Sequence, residues 1–275
     1  MVDWAFGLPR GGILLPYVAV VLLSGGPAPT EDTTADETWK KESAQWFETI
    51  RPGATIRIVN PVGGVYARFG GYENRVELLS TTQRQETDPG PVVSSSPTES
   101  GLDVVVRPGP ARDPGSPPSR VDLVVFVPLG ASLDAQTEDD QIQIKGVKGN
   151  VIASSGTGDV WIRAVEGSVR AKSARGDLSV ALETGATRES QDFTTETGNI
   201  EVHLWEDADL AVRIATSGEI STDFSLQIEH LRGEEPGKRA VAVVGDGGPE
   251  LILNSKRGRV SLLRLQKELG SHGKP

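Results

Sequence analysis

The chain has 275 residues and a formal net charge of −10, room for one elongated domain or two small ones. The acidic balance lacks the clustered Lys and Arg that phosphate binding needs, so no nucleic acid is expected as a partner. With no cysteine, disulfide staples, thiolate metal centres and a lipid-modified Cys are excluded.

Residues 1–30 read as an N-terminal hydrophobic segment. Gly11 to Thr30 carry no charge, and the apolar heart Ile13–Leu23 is eleven residues long. That length suits the hydrophobic region of a signal peptide, with Gly26-Pro27-Ala28 as a small-residue cleavage site. About twenty uncharged residues also just span a bilayer as a helix, so an uncleaved anchor is the competing expectation. Arg10 before the segment and Glu31, Asp32, Asp36 and Glu37 after it fit export of everything that follows, with Arg10 inside. Trp4 and Phe6 suit a membrane interface.

Residues 31–43 are polar and acidic and read as a linker. A domain over 44–265 follows, then a polar tail over 266–275. Its first strands end in Val76-Glu77-Leu78-Leu79. Residues 84–120 hold eight prolines and read as an irregular insertion, with Leu102–Val106 as a strand candidate inside it. Arg120–Val127, closed by Pro128, is a strong strand. A second insertion is expected over 224–249, with one helical turn at Leu226–Leu231. Little other helix is expected beyond the N-terminal segment.

Between 133 and 263 one cassette repeats. Gly, a polar residue and an aliphatic recur at Gly158-Asp159-Val160, Gly176-Asp177-Leu178, Gly198-Asn199-Ile200, Gly218-Glu219-Ile220 and Gly258-Arg259-Val260. The polar positions are 18, 22, 20 and 40 residues apart, a period of roughly twenty that marks a repeat architecture. On either side of each turn apolar residues alternate with polar ones, as in Ile200, Val202 and Leu204 against Glu201, His203 and Trp205, which puts one face inside. Gly at the bend is expected to supply positive φ, and its Asp or Asn neighbour to bond the local backbone. One cassette cannot bury its apolar face, but stacked cassettes can. The expected fold is therefore all-β, a β-solenoid or β-roll of stacked rungs, with one N-terminal hydrophobic helix.

The pattern resembles the bacterial putative-adhesin family of unknown function, whose members repeat a strand, a Gly-Asp or Gly-Asn turn and another strand. The opening of that pattern is matched by Phe47-Glu48-Thr49-Ile50, Pro52-Gly53, Ile56–Asn60 and Gly64–Ala67, and the resemblance covers residues 44 to 264. It implies surface adhesion by name. The insertions, and Arg259 at a usually acidic or amide position, depart from it, and the last rung is expected to be a cap.

The site residues singled out are structural: Gly158, Asp159, Gly176, Asp177, Gly198, Asn199, Gly218 and Gly258 at the turns. Calcium at the Gly-Asp turns is weighed against plain turn chemistry and set aside, because tandem Gly- and Asp-rich repeats are absent. Carboxylate catalysis by Asp159, Asp177 and Glu219, stacked with Arg163, Lys172 and Arg175, is disfavoured because solvated turn carboxylates lack separated environments. His203, His230 and His272 have no metal-ligand spacing. No catalytic residue, metal or cofactor is assigned. Trp161 and Trp205, expected outward on neighbouring strands, are interface candidates.

The function expected is a non-enzymatic, exported structural or interaction module, anchored on the periplasmic side of the inner membrane through residues 11–30. There it would stabilise a larger membrane complex, with other protein subunits as partners. Adhesion to a glycan or another cell is the alternative, and a polysaccharide-acting enzyme the remote one.

Overall fold

A computed structural model describes residues 39–70, 74–110, 118–182, 189–205 and 207–265. The expected N-terminal helix and the tail lie outside these residues. In chain order the strands are β1 (Trp39–Thr49), β2 (Thr55–Asn60), β3 (Val65–Phe69), β4 (Arg75–Gln85), β5 (Val92–Pro97), β6 (Gly101–Arg107) and β7 (Arg120–Val127). They continue as β8 (Ser132–Thr137), β9 (Ile142–Lys145), β10 (Val151–Ser155), β11 (Val160–Val165), β12 (Val169–Ser173), β13 (Leu178–Leu182) and β14 (Gln191–Thr195). The last are β15 (Ile200–Trp205), β16 (Leu210–Thr216), β17 (Ile220–Thr222), β18 (Gln227–His230), β19 (Lys238–Val244), β20 (Glu250–Ser255) and β21 (Val260–Leu265). Among the described residues there is no helix.

The strands form two sheets. Sheet A is 10-stranded, in the order β1-β4-β7-β3-β9-β11-β13-β15-β21-β17. Sheet B is 11-stranded, in the order β18-β19-β16-β20-β14-β12-β10-β8-β2-β6-β5. Each rung contributes one strand to sheet B, turns at the Gly corner and contributes the next strand to sheet A. Rungs stack in parallel and in register: Val151 pairs with Leu133 and with Val169, and Val160 pairs with Ile142 and with Leu178. Both sheets turn their alternate apolar residues onto one shared core. On sheet A the columns are Ile142, Val160, Leu178, Ile200 and Val260, and Ile144, Ile162, Val180, Val202 and Leu262, all buried. One face of each of these strands is thus covered by the opposite sheet, which is why the sequence alternates.

Stacking order departs from chain order at both ends. β20 and β21, last in the chain, lie inside the stack between the β14/β15 rung and the β16/β17 rung. At the other end the β2/β3 rung sits between β8/β9 and the later β6/β7. The last rung in sequence is therefore an ordinary interior rung, correcting the expectation of a cap there. The cap is the antiparallel hairpin β18–β19, built from the second expected insertion. The helical turn expected at Leu226–Leu231 is instead strand β18. The Pro-rich insertion contributes β5 and β6, the latter containing the anticipated Leu102–Val106 strand. β7 matches the Arg120–Val127 reading. β1 starts at Trp39, so the end of the expected linker is strand.

Candidate functional site

The turn residues come together in one column. The chain bends from sheet B to sheet A at Gly63, Asp140, Gly158, Gly176, Gly198, Gly258 and Gly218, in stacking order. A Cβ on Gly176 would run into the carbonyl of Gly158, one on Gly198 into that of Gly176, one on Gly258 into that of Gly198 and one on Gly218 into that of Gly258. None of these glycines has the positive φ seen at Gly53 or Gly130. The expectation of left-handed backbone is thus corrected: Gly is required because successive turns touch backbone to backbone.

A second column escaped the sequence reading. Three residues before most turn glycines stands a buried hydroxyl: Ser155, Ser173, Thr195 and Ser255. Gly158 N–H donates to Ser155 Oγ at 2.8 Å and Gly176 N–H to Ser173 Oγ at 2.8 Å. Ser173 Oγ donates in turn to the Gly158 carbonyl at 3.1 Å, and Ser255 Oγ to the Gly198 carbonyl at 2.8 Å. Each hydroxyl satisfies an orphan amide of its own turn and a carbonyl of the rung beside it, as buried polar groups must. Asn60 plays the part at the first turn, donating to the Val121 carbonyl at 2.7 Å. The signal was legible as Ser or Thr at a fixed offset from Gly.

Outside this column runs a third. Asp159 Oδ1 accepts the Asp177 N–H at 2.8 Å, Asp177 Oδ1 the Asn199 N–H at 2.7 Å and Asn199 Oδ1 the Arg259 N–H at 2.9 Å. These side chains cap the next rung, which is a structural task. Arg259 continues the line by a different device, pairing with Glu219 of the terminal rung at 3.0 Å. The proposed stack of Asp159, Asp177 and Glu219 with Arg163, Lys172 and Arg175 does not form as expected: the Asn199 and Arg259 rungs separate Glu219 from Asp177, and Lys172 lies on sheet B while Arg163 lies on sheet A.

Trp161 and Trp205 are not on neighbouring strands, because β13 lies between β11 and β15. Both are half-buried, but only Trp161 falls at a concentration of functional groups. On the outer face of sheet A, Tyr66, Gln143 and Trp161 occupy one row across β3, β9 and β11. Two residues along, Arg68, Lys145 and Arg163 occupy the next. Strands lie about 4.8 Å apart and the rows about 7 Å apart. The groove between and beside these rows has a volume of about 390 Å³. A second, wider hollow of about 790 Å³ opens on the turn side of Trp161 and is lined by Asp177, Asn199, Glu201 and Arg259 among others.

The cation row is unusual electrostatically. Arg68, Lys145 and Arg163 are exposed, and among the described residues none has an ion pair or a side-chain hydrogen bond. Several other cations are neutralised. Arg120 donates to Asp122 at 2.6 Å and lies 3.2 Å from Asp140, and the hydrogen bond to Asp122 above all holds its proton more firmly than usual. Arg213 pairs with Glu250 at 2.6 Å and Arg257 with Glu235 at 2.7 Å. On sheet B the corresponding outer row runs Asp103, Arg57, Asp134, Ile152, Arg170, Asp192, Ile252 and Arg213, so neighbouring charges are opposite. The sheet A run has no such compensation. Its strand ends are also irregular: Ala164 has φ 56° at a bulge between Arg163 and Val165, and Gly146, beside Lys145, has φ 76°. Non-glycine residues in that region are strained, and bulges re-aim side chains.

Comparison with known proteins agrees with the resemblance read from the Gly-Asp turns. The model of the Toastrack DUF4097 family matches residues 111–261, just over half of the chain and a later start than the 44 expected. No curated protein matches. Among solved structures, a putative cell adhesion protein from Clostridium sporogenes ATCC 15579 aligns at 12% identity and TM-score 0.49, over 81% of this chain and 100% of that one. A putative adhesin from Bacteroides fragilis NCTC 9343 aligns at 9% identity and TM-score 0.26, over 81% of this chain and 97% of the other.

Proposed function

The chain belongs to the Toastrack DUF4097 family, and on that premise we propose that it is a non-enzymatic interaction module, exported and held at the periplasmic face of a bacterial membrane by residues 11–30, with the outer face of sheet A as its contact surface. The observation that carries this reading is the uncompensated run Arg68, Lys145 and Arg163 beside Tyr66 and Trp161. Aromatics beside Arg are the composition of binding surfaces. A catalytic reading draws no support from the turn carboxylates, since Asp159 and Asp177 each accept a backbone N–H of the next rung. A continuous hydrogen-bonded stack is a scaffold suited to presenting a fixed surface.

In its narrower form the module is an accessory subunit that stabilises a larger membrane protein complex, with the tether keeping it beside its partners. The sheet A aromatics favour a second reading, surface adhesion to a glycan. Purification of the full chain from native membranes in mild detergent, followed by intact-mass measurement, tests the tether and the partner together. The expected result is a membrane-bound chain retaining residues 1–28 and co-eluting with another protein. A cleaved, monodisperse monomer would overturn the tethered-subunit reading.

A further inference from the structure

We infer that the outer face of sheet A binds an acidic glycan, laid along the stack across the β3, β9 and β11 rungs. The inference rests on the proposed function for its choice of contact face and for placing that face outside the cell. It specifies the chemistry of what the face meets.

Three observations converge. First, like charges directly opposite one another on adjacent strands are destabilising, and Arg68–Lys145–Arg163 is such a run in a chain whose formal charge is −10. Acidic residues are abundant enough to neutralise it, as they do on sheet B. A bound external anion would offset that cost, and Arg offers a carboxylate a bidentate fork. Second, the cations repeat at the strand spacing of about 4.8 Å, so a polyanion lying along the stack meets them in turn. Third, the parallel row Tyr66–Gln143–Trp161 puts an aromatic side chain on either side of an amide. Sugar rings present apolar C–H faces to such platforms and hydroxyls to the amide, while the carboxylates reach across to the cations. Left-handed Gly146 and Ala164 shape the strand ends that aim Lys145 and Arg163.

The test titrates the full chain in detergent with a galacturonate hexamer, followed by calorimetry. Controls are a neutral glucose hexamer, a hexaglutamate peptide and a short deoxyoligonucleotide. Saturable uronate binding that weakens with salt is expected, with the controls at least about tenfold weaker, one step of about 1.4 kcal/mol in affinity. Lys145→Glu should reduce uronate affinity at least about tenfold yet melt no lower than the parent, because it turns three like charges into an alternating row. Lys172→Glu makes the same charge change on sheet B and should leave affinity unaltered. Absence of uronate binding, equal loss in both variants, or equal binding of any control would overturn the inference. A membrane-bound chain that co-elutes with a protein yet ignores uronates would sink this inference alone. A cleaved chain that binds them would sink the tether alone.

Discussion

Glycine at the Gly158–Gly218 corner acts by the absence of a side chain, and the consequence is measurable one residue at a time. Gly176→Ala drives a Cβ into the Gly158 carbonyl, and rigid backbone on both sides cannot yield. Urea denaturation should show a loss of at least about 3 kcal/mol, the range reserved for steric or buried-polar faults. Gly53→Ala is the contrast. Gly53 has φ 73° with open space around it, so only the left-handed backbone penalty of about 1–2 kcal/mol should appear. Charge acts more weakly at this scale. The carboxyls of Glu235 and Glu86 are held below the ordinary 4.5, through hydrogen bonds from Arg257 and Lys40 first and their charge second. A depressed folded-state value means that stabilisation is present above the unfolded value and lost as pH falls through the folded one. Thermal melts should therefore place a Glu86→Gln/Glu235→Gln double variant slightly below the parent above about pH 5 and level with it below about pH 3. Both groups are solvent-exposed, so screening keeps the difference small.

Strands in this chain are short, and none could persist alone; neighbours supply what each lacks. The inner face of sheet B shows how a rung is tuned to its place. Ala135, Ala153 and Ala171 form a column that continues as Phe193, Leu253 and Ile214. Large residues thus succeed small ones along the column. Phe193 is fully buried on strand β14, which passes Leu253 of β20 in register. Phe193→Ala should cost about 3–5 kcal/mol, read as a shift in denaturation midpoint with little change in slope. An unchanged midpoint would mean that this part of the core is not packed as described. Gln191, buried on the same strand, accepts the Val169 amide and donates to the Glu189 carbonyl at 3.0 Å, standing beside Leu251 in an otherwise aliphatic column.

At the scale of the whole molecule the hazard of a stack is its ends, where unpaired strand edges invite another chain. One end of sheet A stops at β17, only 3 residues long. The other stops at β1, whose edge carries Lys40 and Lys41, and charged side chains blunt an edge. On sheet B the antiparallel hairpin β18–β19 covers β16. A variant with residues 227–244 replaced by a short Gly-Ser linker should expose β16 and self-associate, seen as concentration-dependent light scattering. A clean monomer from that variant would show the hairpin to be dispensable as a cap.

Fold type was legible in the sequence because a stack repeats its local chemistry. The 18-residue spacing of Asp159 and Asp177 reappears as the register that pairs Val160 with Leu178, and period-two alternation named the core columns. The order of rungs was not legible: nothing local distinguishes a rung that follows its predecessor from β20 and β21, which enter the stack out of turn, since each rung offers its neighbours the same edges. The cation run was hidden for a related reason. Arg68, Lys145 and Arg163 are 77 and 18 residues apart in the chain, and only lateral pairing of β3, β9 and β11 sets them side by side. Periodic apolar residues and side-chain-free corners, both local features of the chain, already dictate that strands stack. Only the tertiary structure decided which strands became neighbours, and with that which charges had to share one face, because electrostatic repulsion depends on distance through space.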